Sequence, residues 1–304
     1  MIAAVTSSPG PSWYALCTRI NAGGGTDPEN GMNVATITLP GGIEAPQLGL
    51  GTWTLRDSEC ERTVASALDM GYRHIDTAEM YENEEAIGRA IASVDRGDLF
   101  LTSKVWPDHL HAEDVRYACE SSLKRLNTDY LDLYLIHWPN SSIPIEETVG
   151  ALQRLVEDGR IRAWGVSNFT RSHLEEARRY GTIAVNQVEL HPFFNQRSLS
   201  EYCAGIGVPI IAYRPLAKGR VNHDHVLSGF ALRHGRSPAQ VALRWIIQHG
   251  HLAIPRSTSE RHLREDIDVF DFRLDPSEMA RIDALPQRER LVAIAGAEFD
   301  RDDA

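Results

Sequence analysis

The sequence predicts an α/β chain: a (β/α)8 barrel with an N-terminal β-hairpin. Three features predict it. Between residues 36 and 283, short apolar runs alternate with amphipathic helical patterns, and eight such units fit the roughly 250 residues that this barrel needs. The runs are apolar nearly throughout, as parallel strands covered on both faces must be, rather than alternating as half-exposed strands do. The glycine fingerprint of a doubly wound dinucleotide-binding sheet is missing, since Gly49-Leu50-Gly51-Thr52-Trp53 lacks a third glycine and no helix follows at once.

The elements follow in order. Residues 36–43 read as two short strands around a Gly-Gly turn. Eight barrel strands are expected at 47–52, 72–77, 99–105, 130–138, 161–167, 183–190, 208–213 and 252–255. Helical patterns at 60–70, 84–93, 112–125, 148–157, 171–179, 199–204 and 239–248 repeat apolar residues every three or four positions, which gathers them on one face. Residues 1–32 carry Pro9, Gly10, Pro11 and the run Gly23-Gly24-Gly25 without periodicity, so they read as a disordered extension. Ordered patterning begins just after Met32, a candidate start, and residues 33–304 read as one barrel domain with an irregular, charged tail from 286.

Composition narrows the function. The 304 residues are 42% apolar and 24% charged, which excludes collagen, coiled coil and a mostly disordered chain. Lys and Arg number 31 against 42 Asp and Glu, a net charge of −11 that repels nucleic acid and anionic membrane. There is no run of about 18 apolar residues, and Pro9 and Pro11 interrupt anything like a secretory signal. Cys17, Cys60, Cys119 and Cys203 form no CxxC pair and read as free thiols in a reducing cytoplasm. His74, His137 and His191 share no ligand spacing, so no metal is expected.

Chemistry in such a barrel sits at the carboxyl ends of its strands. Those ends carry Trp53, Asp76, Lys104, Trp106, His137, Trp138, Ser167, Asn168, Gln187, Glu189, Tyr213 and Arg256. Asp, Lys and His on three successive strands would point into one mouth. Tyr81, five residues past Asp76, reads alone as a packing residue, but beside an ammonium a phenol becomes a usable acid. In this reading Lys104 lowers the Tyr81 pKa, Asp76 holds Lys104 charged and in place, and His137 donates to a substrate oxygen. The set is a proton donor aimed at a carbonyl, and because it lacks a hydride of its own it needs a nicotinamide.

Five stretches resemble the aldo-keto reductase family: Gly71-Tyr72-Arg73-His74-Ile75-Asp76-Thr77-Ala78, Leu135-Ile136-His137-Trp138-Pro139, Gly165-Val166-Ser167-Asn168-Phe169, Ile254-Pro255-Arg256-Ser257 and Asp268-Val269-Phe270-Asp271-Phe272. The similarity runs in order from about Thr36 to Leu285. Short loops, Ser257-Thr258 and the Arg290-Leu291-Val292 ending are most similar to bacterial 2,5-diketogluconate and methylglyoxal reductases. The resemblance implies a catalytic set of Asp76, Tyr81, Lys104 and His137 with Tyr81 as proton donor. It implies that Ser167, Asn168 and Gln187 bind the nicotinamide carboxamide, that Tyr213 stacks on the ring, and that Leu216, Lys218 and Gly219 lie along the pyrophosphate. Gly51, Thr52 and Glu265 join these as cofactor contacts. Read without it, Ser167-Asn168 is a helix cap, Gln187 a satisfied barrel-interior amide and Lys218 a solvated charge.

Arg256, Ser257, Thr258, His262 and Arg264 gather cations and hydroxyls at a helix start, a fitting place for a phosphate. NADPH is therefore the expected cofactor, with NADH used measurably. Trp53, Trp106 and Trp138 read either as core or as a greasy substrate wall. Short connections after Trp138 and Tyr213 imply an open pocket for small, polar aldehydes and α-dicarbonyls. The expected protein is a monomeric reductase. A nucleotide-sensing module on the same fold, with little turnover, is the alternative.

Overall fold

The structure, a computed structural model, describes residues 34–288 and 290–292. The expected extension over 1–32, Cys17 and the tail beyond 292 lie outside the described residues. Strands β1 (Thr36–Leu39) and β2 (Ile43–Pro46) pair antiparallel as the expected hairpin. Eight parallel strands follow: β3 (Leu50–Gly51), β4 (His74–Asp76), β5 (Phe100–Val105), β6 (Leu131–Ile136), β7 (Ile161–Ser167), β8 (Asn186–Glu189), β9 (Ile210–Tyr213) and β10 (Leu252–Ile254). They pair in sequence order, and backbone bonds from Gly49 N to Ala253 O (2.9 Å), Ala253 N to Gln47 O (2.8 Å) and Gly51 N to Pro255 O (2.9 Å) close β3 against β10.

Two apolar clusters hold the barrel. Hairpin residues Ile37, Leu39, Ile43 and Ala45 join Phe100, Leu133, Leu135, Val185, Ile211 and Leu252 in one cluster, so the hairpin plugs the barrel interior. The other lies between the strands and the helices α1 (Asp57–Asp69), α2 (Glu84–Ile91), α3 (Ala112–Leu126), α4 (Ile145–Glu157), α5 (Arg171–Ala177), α6 (Arg197–Gly205), α7 (His225–His234) and α8 (Pro238–Gln248). With the bottom plugged, the strand carboxyl ends form the open mouth.

Three helices lie outside the seven expected helical stretches. Helix α7 is capped by Asp224, whose carboxylate accepts from the Val226 and Leu227 amides, and ends at Gly235 in the left-handed region. Helix α9 (Glu260–Ile267) starts in the expected basic cluster. Helix α10 (Pro276–Asp283) opens with an Asp275–Glu278 capping box. The connection after Tyr213 is accordingly not short. It holds a 3-10 segment, Ala217–His223, and then α7, so it has the length to reach over the mouth.

Candidate active site

Asp76 is the last residue of β4, and Thr102 is its register partner on β5. Lys104 lies two residues further along β5, hence on the same face one layer higher. Its ammonium donates to Asp76 Oδ1 (2.5 Å), Thr77 O (2.8 Å) and the Tyr81 hydroxyl (3.3 Å). Gln187 Nε2 donates to the other Asp76 oxygen at 2.7 Å. Tyr81 ends a 3-10 turn, Glu79–Tyr81, closed by Glu82 in the left-handed region. Asn83 staples that turn: it accepts from Thr77 Oγ1 (2.6 Å) and donates to Thr52 O (2.9 Å) and Leu55 O (3.1 Å). Glu79 ties the turn to the next loop by accepting from the Trp106 amide at 2.5 Å.

The electrostatics follow from burial. Lys104 is fully buried. Desolvation alone would drive its proton off, but Asp76 and Tyr81 outweigh it and hold the ammonium above its ordinary range. For Tyr81 the balance is reversed: burial pushes the phenol above its ordinary value, and the opposing pull of Lys104 is smaller. The sequence reading of a net lowering is thus corrected, because desolvation does not show in a residue list. His137 is held well below the ordinary histidine range by burial and then by the Lys104 charge, so it is neutral. Its buried Nδ1 has no partner among the described residues.

A cleft of about 1020 Å³ opens above these groups, at the upper end of ligand pockets. Of the residues singled out in the sequence, Gly51, Thr52, Trp53, Asp76, Tyr81, His137, Trp138, Ser167, Asn168, Gln187, Tyr213, Leu216, Lys218, Gly219, Arg256, Ser257, His262 and Glu265 all line it. Lys104 lies behind Tyr81. Trp106 and Thr258 are not part of the lining; Trp106 stands edge-on to His137 with ring centroids 5.3 Å apart. Asn168 has a left-handed backbone and a committed side chain, donating to His137 O (3.1 Å) and Ser167 Oγ (3.0 Å) and accepting from the Tyr213 hydroxyl (2.8 Å). It locks the ends of β7 and β9 to the residue after β6.

The sequence reading missed Arg261, Arg214, Asn222, Leu291 and Val292 in the lining and put Arg264 in the basic cluster. Helical spacing explains the swap: positions 261, 262, 265 and 266 of α9 share the face toward the cleft, and 264 does not. Arg261 bonds His262 Nε2 (2.9 Å) and Glu265 (3.2 Å).

The family model described as Aldo/keto reductase family matches residues 47–287. The chain belongs to the aldo/keto reductase family. It is 45% identical over 261 residues to the glyoxal reductase of Bacillus subtilis, covering 84% of this chain and 94% of that protein. It is 42% identical over 267 residues to the 9,11-endoperoxide prostaglandin H2 reductase of Trypanosoma cruzi, covering 85% and 94%. The crystal structure of an aldo/keto reductase from Brucella melitensis superposes with a TM-score of 0.80 at 40% identity, covering 83% and 98%. This aldo/keto reductase is an oxidoreductase acting on carbonyl compounds, and enzymes of the family use nicotinamide cofactors. No helix among the described residues is long and apolar enough to cross a membrane.

One cleft residue of this aldo/keto reductase has a measurable consequence for stability. Asp266 is buried and accepts no hydrogen bond from the described residues; burial, with Glu265 adding repulsion, pushes its carboxyl from 3.8 to about 7. The folded state therefore holds this proton more tightly than the unfolded chain does. Its carboxyl costs nothing in acid and destabilises progressively as pH rises from the unfolded value to the folded one. Asp266→Asn is expected to raise unfolding stability in urea by about 4 kcal/mol near pH 8 and to change it little near pH 4. An equal change at both pH values would contradict the assignment.

Proposed function

We propose that this aldo/keto reductase is an NADPH-dependent reductase of small aldehydes, ketones and α-dicarbonyls, with Tyr81 as the proton donor. The observation that carries the reading is the Tyr81 hydroxyl 3.3 Å from an ammonium that is itself 2.5 Å from Asp76, beneath a cleft large enough for a dinucleotide and a small substrate. The cleft residues fit that cofactor. Gln187 keeps its amide oxygen free of the Asp76 bond, so it is available to a carboxamide. A Cβ at Gly51 would come within 2.8 Å of Ile254 O, so glycine there lets β3 pack closely on the end of β10 at the cleft. Gly219, at φ +84, has open space where a side chain would stand. Arg256 and Arg261 bring fixed positive charge to the far end, where a 2′-phosphate would sit.

When bound, the nicotinamide supplies a hydride to the carbonyl carbon. This chain supplies the proton. As the C=O electron pair moves onto oxygen, Tyr81 gives that oxygen its proton and an alcohol results. The high phenol pKa keeps Tyr81 protonated at neutral pH, which is the state a donor needs. Lys104 then stabilises the phenolate left behind, and solvent returns the proton. A neutral His137 is too weakly basic to take up this proton, so its role is to orient the carbonyl oxygen through a hydrogen bond. A fully assembled acid favours turnover over a nucleotide-sensing role. The relative named a glyoxal reductase supports small dicarbonyls as the substrate class, as do the indoles of Trp53 and Trp138 along the cleft.

NADPH oxidation in the presence of methylglyoxal tests the reading. Tyr81→Phe is expected to bind NADPH nearly as tightly as the parent and to lower kcat by 10²-fold or more, about the contribution of a positioned acid. Retention of most of the kcat would remove Tyr81 as the donor. Arg256→Gln is expected to raise the NADPH Kd about tenfold, for loss of one charge-assisted contact, and to leave the NADH Kd unchanged. Fluorescence titration reads both, and equal weakening of the two cofactors would show that Arg256 does not meet the 2′-phosphate.

A further inference from the structure

Glu189 is a carboxylate that the proposed chemistry does not use. It ends β8 two residues beyond Gln187, on the same face and nearer the mouth, and it is fully buried. Each carboxylate oxygen accepts a different backbone amide of the C-terminal segment: Leu291 N at 2.7 Å and Val292 N at 2.9 Å. His191 Nε2 lies 3.2 Å from the same carboxylate. Burial alone would push this acid up, but the His191 and amide bonds outweigh it and hold the carboxyl below its ordinary range, so it is ionised. The segment is fastened nearby as well. Arg214 donates to Leu291 O at 3.1 Å, Arg288 N to Phe193 O at 2.7 Å, and Asn195 N to Gln287 Oε1 at 2.8 Å.

The fastening has a direction. Leu291 and Val292 line the same cleft as Trp53, Tyr81, His137 and Trp138. The described residues 286–288 and 290–292 form neither helix nor strand, so their place depends on these bonds and on the Arg290 guanidinium, which bonds Tyr213 and lies over the Phe194 ring. Among the groups that hold the backbone of Leu291 and Val292, Glu189 is the fully buried charge, and charge-assisted bonds to amides are the stronger kind. The dependence is mutual: if the segment leaves, the carboxylate keeps only His191, and a poorly solvated charge resists that.

We propose that Glu189 is a positioning residue that clamps the backbone of Leu291 and Val292 into the cleft, so that these two side chains form the wall that limits the size of the carbonyl substrate. The clamp stands on geometry alone; the size limit rests also on the proposed reductase function. The grip reads peptide amides rather than side chains, so residues 291 and 292 can vary to tune the pocket without loss of the anchor.

The test uses the full chain and two variants. Glu189→Gln keeps the shape but turns one acceptor into an NH2 facing an amide donor, releasing one of the two bonds. Val292→Pro removes one donor and leaves the barrel strand untouched, which covers the case in which Glu189→Gln fails to fold. In both, hydrogen exchange of peptides spanning the C-terminal segment is expected to speed up by roughly tenfold or more while barrel-strand peptides keep their rates. The ratio of kcat/KM for phenylglyoxal to that for methylglyoxal is expected to rise about tenfold, mostly through KM, as a pocket wall loosens. Unchanged exchange would overturn the clamp. Faster exchange with an unchanged substrate ratio would overturn the size limit. If the parent protein reduces neither dicarbonyl, the reductase reading fails while the exchange arm still decides the clamp.

Discussion

The active end of this barrel depends on one buried ion pair, Lys104 with Asp76. Removing two such charges from water costs several kcal/mol each, and their attraction repays it only when every remaining donor and acceptor is engaged. Here they are: Thr77 O and the Tyr81 hydroxyl take the other ammonium protons, and Gln187 takes the second carboxylate oxygen. The ends of β4, β5 and β8 and the turn after β4 must therefore lie within a few ångströms of one another. Closure of β3 on β10 and the hairpin plug serve that requirement, because they fix strand tilt and leave only one end of the barrel open.

The same device recurs elsewhere in the fold without chemistry. Asp132 on β6 accepts from Arg96, Arg162 and the Leu101 amide, which binds neighbouring strands through their outer faces. Glu84 accepts from Ser103 and Arg125 and docks α2 onto β5 and α3. Glu278 accepts from Arg233, His234 and the Asp275 amide and docks α10 onto α7. In each case a buried acid meets a base that reaches in from the surface. Lys104 differs because its base is buried too, and so its charge acts on Tyr81 at low dielectric, where it is strongest. Asp266 differs the other way: with no donor beside it, it holds its proton instead.

The barrel and the gathering of Asp76, Lys104 and His137 at one mouth were legible in the sequence for a physical reason. Parallel strands buried on both faces leave continuous apolar runs, so a polar residue at the end of a run stands out, and Asp76, Lys104 and His137 did. Helix α7 was missed because its signals are caps rather than periodicity, namely Asp224 and Gly235 flanking a short apolar stretch. Arg261 was passed over for Arg264 because a basic cluster in one dimension does not say which residues face inward. The net direction of the Tyr81 pKa and the grip of Glu189 on Leu291, 102 positions away, depend on burial and long-range contact. Neither leaves a local trace.

The central claim is that the buried pair exists to poise Tyr81 and not to hold the barrel together. Replacing both partners at once, Asp76→Asn with Lys104→Met, tests it directly, because it leaves no unpaired charge inside. A buried pair exchanged for neutral groups of similar shape is often neutral or stabilising. Single-turnover oxidation of bound NADPH by methylglyoxal on this double variant is the measurement, with its unfolding midpoint recorded alongside. The account predicts a fold as stable as the parent's and a rate lower by about 10²-fold or more. A rate within a few-fold of the parent's, whatever the stability, would contradict it.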